Sequence, residues 1–130
     1  MTEWSHLPNA KHIDAVIASA KANPETWLAV RDPIRDAARD AARDAAWKAA
    51  WMPAARDAAW KSARDEAWKS ARDAAWDGIV ALVAYDHAAK YLEMRSDQLR
   101  AWAVLSEDSA AILLVPTVTA FERIAETETV

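Results

Sequence analysis

Cysteine is absent from these 130 residues, and glycine occurs once, at Gly78. Without thiols there is no disulfide framework, no thiolate zinc site and no thiol nucleophile. A single glycine leaves little material for tight β-turns, so helix is favoured throughout. The apolar run Ala110 to Val115 is far too short to span a bilayer. Met1-Thr2-Glu3-Trp4 shows no basic region followed by an apolar stretch, so the sequence predicts no secretory signal and a cytoplasmic protein. A Gly-rich phosphate loop, HExxH, GxSxG and a Cys/His ligand cluster are all missing. These absences predict a non-enzyme that uses no cofactor and no metal.

Charge of one sign is also lacking where it would matter. The net charge is −4, yet from Arg31 to Asp77 ten Lys or Arg face nine Asp or Glu. Binding to a nucleic-acid polymer calls for an uncompensated basic face, and here Asp follows nearly every Arg. A membrane-surface helix would need a basic polar face opposite a continuous apolar one, which the repeat does not supply.

What the chain has in abundance is alanine and tryptophan. The hydrophobic fraction is 53%, much of it alanine, which buries little area per residue. Trp, Ile, Leu and Val must therefore carry the burial energy, and there are eight Trp. From Arg35 the chain steps in fours (RDAA, RDAA, RDAA, WKAA, then Trp51). From Arg56 it steps in eights (RDAAWKSA, RDEAWKSA, RDAAWDGI). A four-residue step advances about 400° around an α-helix, so the alanine stripe drifts about 40° per repeat and winds around the helix. A heptad seam against one partner is excluded, and close crossings with several neighbours are favoured.

The pattern predicts an all-α protein: one domain, a compact bundle of about six to seven helices with the Ala-rich Arg/Trp repeat hairpin at its centre. Residues 1–32 hold N-terminal helices, the first opening after Asn9 and running to Ala22, the second opening at Pro24. Residues 33–77 form the repeat, as helices over about 33–51 and 54–77 joined by a sharp bend at Pro53. Residues 78–124 hold the C-terminal helices. One, amphipathic, runs from Ile79 to near Met94 with His87 beside the core. One is capped by Ser96 and one by Ser109, the last kinked at Pro116. Over 110–121 β-branched residues cluster, leaving helix or strand open. Residues 125–130 are an acidic tail, frayed from Glu126.

The candidate site lies in the repeat. Trp60, Trp68 and Trp76 sit four residues after Arg56, Arg64 and Arg72, which lets a guanidinium lie over an indole face. With Trp47 and Trp51 they fill gaps left by alanine or form a platform for a partner. The drift keeps Trp60, Trp68 and Trp76 off one core line, which places at least one at a surface, a groove or an oligomer interface. Acid-before-base pairs such as Asp44–Lys48 support the helix itself.

The stretch RDAARDAARDAAW, with ARDAAWKSARDEAWKSARDAAWD, resembles a group of alanine-rich ARDAAW-repeat proteins of phages and bacteria, some labelled putative immunity proteins. Lys11-His12-Ile13-Asp14-Ala15, Val80 to Asp86, Leu99 to Ala103 and Leu113 to Pro116 extend the likeness over most of the chain. The resemblance implies a small accessory protein of a phage or mobile element, acting by binding. The expected partner is a protein or a second copy, as in a homo-oligomer, and the expected action is stoichiometric inhibition of a host defence component. Two alternatives stand beside it. One is sequestration of a nucleotide-like anion, with Trp stacking on the base and Arg holding the phosphates. The other is a purely structural helical oligomer.

Overall fold

The computed structural model describes residues 4–30, 36–51, 58, 61, 62, 65 and 72–128. Among them every regular element is helical: α1 (Ala10–Ala22), α2 (Pro24–Ala29), α3 (Asp36–Trp51), α4 (Arg72–Ala84), a 3-10 helix (Asp86–Glu93), α5 (Ser96–Ser106) and α6 (Ser109–Glu128). The region 110–121, open between helix and strand, lies inside the continuous helix α6 despite Pro116. Helix continues past Glu126 as well, correcting the frayed tail. The Pro53 bend lies outside the described residues, as does most of the expected helix 54–77.

α1 and α2 follow from the sequence. Ile13, Val16, Ile17 and Ala20 recur on one face of α1 and are buried. Asn23 closes α1 and precedes Pro24, whose missing N–H costs nothing at a first helical position. The Trp27 indole is fully buried, donates to Ser19 Oγ at 3.1 Å and meets the edge of Phe121 at 5.6 Å between ring centroids. Asn9 stands before α1, but its side chain serves another helix. Its Nδ2 donates to the carbonyls of Leu82, Tyr85 and Asp86, groups that the end of α4 would otherwise leave exposed.

α4 occupies the middle and packs against α1, α2, α3, α6 and the 3-10 helix. It runs straight through Gly78, where the sequence predicted a boundary. Every residue from Gly78 to Ala84 is buried, as an all-round apolar helix requires. Gly78 is there because Thr117 of α6 crosses over it. A Cβ at Gly78 would lie 2.0 Å from Thr117 Oγ1, where no atom fits. α6 answers α4 with its own buried run from Ala110 to Val118.

The end of α4 is a second correction. The amphipathic helix expected from Ile79 to Met94 breaks at Tyr85, which is extended, and resumes as a 3-10 helix. The tighter winding buries Ala88 and Tyr91 and leaves His87 exposed. His87 is thus at the surface and not beside the core.

Candidate functional site

Two of the eight residues singled out in the repeat have described side chains. Trp47 is 40% exposed on α3, and Trp76 is half-buried on α4. Only the backbone of Trp51 and Arg72 is described, and Trp60, Trp68, Arg56 and Arg64 lie outside the described residues. A guanidinium of α3 lies over Trp76, that of Arg43, 5.1 Å from the ring centroid. Asp44 and Lys48 do pair at i, i+4, with Nζ 3.1 Å from the carboxylate.

Arg43 also binds Asp77, with Nε donating to Oδ1 at 2.7 Å. Asp77 is 2% exposed, an expensive place for a carboxylate without such a partner. The sequence marks this residue. Trp47, Trp60 and Trp68 are each followed by Lys, whereas Trp76 is followed by Asp. The sign change falls where α4 meets the Arg-bearing face of α3. Ala42 and Ala46 of that face are buried, so the backbones approach closely.

A second cluster joins the 3-10 helix, α5 and α6 around Asp108. Asp108 Oδ1 accepts the backbone N–H of Ala110 at 3.0 Å, capping α6 in place of the expected Ser109. Asp108 Oδ2 accepts the Tyr91 hydroxyl at 2.5 Å and lies 3.0 Å from His87 Nε2. Burial by itself would raise this carboxyl. The hydrogen bonds from Tyr91, His87 and Ala110 outweigh it and hold the carboxyl below its usual range. Burial pushes the Tyr91 phenol up, and donation to Asp108 adds to that. Burial also raises Tyr85, against a hydrogen bond with Ser109.

The Tyr91 hydroxyl in turn accepts Trp102 Nε1 of α5 at 3.1 Å, so a chain of bonds runs from α5 through the 3-10 helix to the start of α6. The far end of α5 is held differently from expectation. Ser96 is the first helical residue, and its N–H and Oγ both donate to the Glu122 carboxylate at 2.6 Å.

α5 is anchored by few apolar groups. Leu99 and Ala103 are buried against α6, while Trp102 is 46%, Val104 70% and Leu105 80% exposed. The run Ala101-Trp102-Ala103-Val104-Leu105 is apolar all round, but the helix covers only one side of it. That run was the signal available in the sequence for a surface patch. Between α5 and the 3-10 helix, Lys90, Tyr91, Met94 and Trp102 line a shallow cavity of about 310 Å³.

Among the described residues no group of three or more His, Cys, Asp or Glu could hold a metal ion, and no helix is long and apolar enough to cross a membrane. Comparison with protein-family models, with curated proteins and with solved structures returned no match.

Proposed function

We propose that this chain works by stoichiometric binding of another protein, without catalysis, and that the last turn of α5 is the contact. The observation behind this reading is the exposure of Val104 and Leu105 at 70% and 80%, beside a half-exposed Trp102. One exposed leucine is ordinary on any surface. Three large apolar side chains within four consecutive positions form a patch, and contiguous apolar patches mark contact surfaces. Trp is among the residue types enriched at binding hot spots, and the bond to Tyr91 fixes this one before any partner arrives.

The Asp108 cluster supports the non-catalytic reading. Its carboxylate accepts three donors: one caps α6, and the other two tie the start of α6 to the 3-10 helix. A general base needs an acceptor available to substrate. The resemblance to ARDAAW-repeat proteins supports a setting in which a phage or mobile element supplies the chain. It would act in the host cytoplasm by occluding a defence component.

Immobilised wild-type protein and the Leu105→Asp variant, exposed to extract from the producing cells, give the first test. The expected result is a protein retained by wild type and lost by the variant, which titrates wild type to a fixed ratio when purified. Sedimentation velocity of both forms over a range of concentrations shows whether that protein is a second copy. Substrate turnover by purified protein that His87→Ala or Asp108→Ala abolishes, and Leu105→Asp does not, overturns the proposal.

A further inference from the structure

The cavity between the 3-10 helix and α5 has walls of unusual uniformity. Tyr91 is 3% exposed, and its hydroxyl is used in both directions, donating to Asp108 and accepting from Trp102. The indole N–H of Trp102 is used in the same bond. Both rings are therefore fixed in place with their polar atoms engaged, and Trp102, 46% exposed, presents the carbon surface while the buried Tyr91 shows only a small part of its ring. Met94 adds a thioether that adapts to flat surfaces. The charged lining residue is Lys90, whose Nζ stands 5.1 Å from the Tyr91 ring centroid.

These walls discriminate among ligand classes. A cation meets the Lys90 ammonium and is repelled. A sugar surrenders its water to surfaces that offer it few partners, at a cost for each unpaired hydroxyl. A triphosphate brings more negative charge than one lysine can match. What remains is a flat apolar body with a single negative charge at one end. The volume of about 310 Å³ sits at the small end of ligand sites, room for one or two rings.

We propose that this cavity is a binding site for a small aromatic monocarboxylate, its ring against Trp102, Tyr91 and Met94 and its carboxylate on Lys90. The site goes beyond the protein-binding reading; the two share Trp102, but Val104 and Leu105 are not among the residues that line the cavity.

The test uses full-length protein labelled with nitrogen-15, with phenylacetate, its neutral amide phenylacetamide and phenethylammonium as probes. The Trp102 indole N–H signal, assigned by its loss in Trp102→Phe, reports occupancy. Phenylacetate should shift that signal saturably, the amide should bind about tenfold more weakly, and phenethylammonium should bind weakest. Lys90→Met, a change at an exposed position, should remove the preference for the acid while leaving binding of the amide intact. Equal binding of acid and amide, an unchanged preference in Lys90→Met, or no saturable shift with any probe overturns the proposal. None of these outcomes bears on the Leu105→Asp experiment, so the two readings fail separately.

Discussion

Within α4 the residues on either side of Gly78 are held in place by different means. Before it, Ala75, Trp76 and Asp77 belong to the last repeat and meet α3 through an ion pair, a guanidinium over an indole and small alanines. After it, Ile79, Val80, Leu82 and Val83 are enclosed by α1, α6 and the 3-10 helix. A buried methyl contributes about 0.8 kcal/mol, whereas a buried Val, Leu or Ile contributes about 1.5–3 kcal/mol. The aliphatic half therefore supplies most of the burial energy. The described residues of the repeat half bury Ala75 and part of the Trp76 ring, and the Arg43–Asp77 pair fixes which face of α3 meets α4.

The sharpest way to break this contrast is at the crossing itself. Gly78→Val places side-chain carbon where Thr117 Oγ1 already sits, and should cost about 3 kcal/mol or more, the upper range for overpacking a core. Denaturant unfolding measures it. Thr117→Ala in the same background should restore part of the loss, because the offending oxygen is gone. Gly78→Val with wild-type stability would show that α4 and α6 do not approach this closely.

Asp77 tests the other half. Asp77→Ala removes the short ion-pair partner of the largely buried Arg43 guanidinium, and should cost about 2 kcal/mol, below the full buried-pair penalty because Arg43 keeps Asp40 at 3.9 Å and some solvent access. Replacing both partners together, Arg43→Met with Asp77→Leu, should be close to neutral in stability. If the double variant is no more stable than Asp77→Ala, the pair is not what makes the single change costly. Asp77→Lys, which makes the last repeat match its predecessors, should be worse than Asp77→Ala.

A smaller effect is expected at the cap of α6. Asp108→Ala removes the acceptor for the Ala110 N–H and should cost about 1 kcal/mol. The fold holds this carboxyl below its ordinary value of 3.8. Its stabilisation is therefore fully present above that value and drains away as pH falls through the lower one. Asp108→Asn should flatten this part of the acid unfolding profile. An unchanged profile would remove Asp108 from the groups that set acid stability.

What could be read in advance follows the same division. The stripe Ile13, Val16, Ile17, Ala20 and the Asn-Pro junction at 23–24 placed α1 and α2, because local periodicity and a proline at a first helical position decide those elements, although neither Asn9 nor Asn23 caps with its side chain. α3 is helical as far as Trp51, and the expected bend at Pro53 lies outside the described residues. Two of the misses involve partners distant in sequence. Gly78 reads locally as a helix stop, and only Thr117, far along the chain, makes it the packing residue of an unbroken helix. Glu122 took over the start of α5 because a carboxylate from α6 reached the Ser96 N–H and hydroxyl, whereas at α6 the miss was local, with Asp108 capping one residue before Ser109. The candidate site shifted for a related reason. The repeat drew attention by its regularity, whereas α5 carries an unremarkable run whose exposure depends on how little of it α6 covers.

Leu105 offers the smallest change in stability and the clearest separation between folding and binding. Its side chain is 80% exposed, so Leu105→Asp removes few contacts and should alter unfolding free energy by no more than about 0.5 kcal/mol. The new carboxylate stands in the last turn of α5, near a negative helix end, which accounts for any slight loss. At a protein contact the same change buries a charge without a partner, a penalty far larger than the stability effect. Wild-type melting with abolished capture identifies the turn as a contact. A large loss of stability would mean that Leu105 packs where the structure leaves it open, and the patch would then belong to the core that holds α5 on α6.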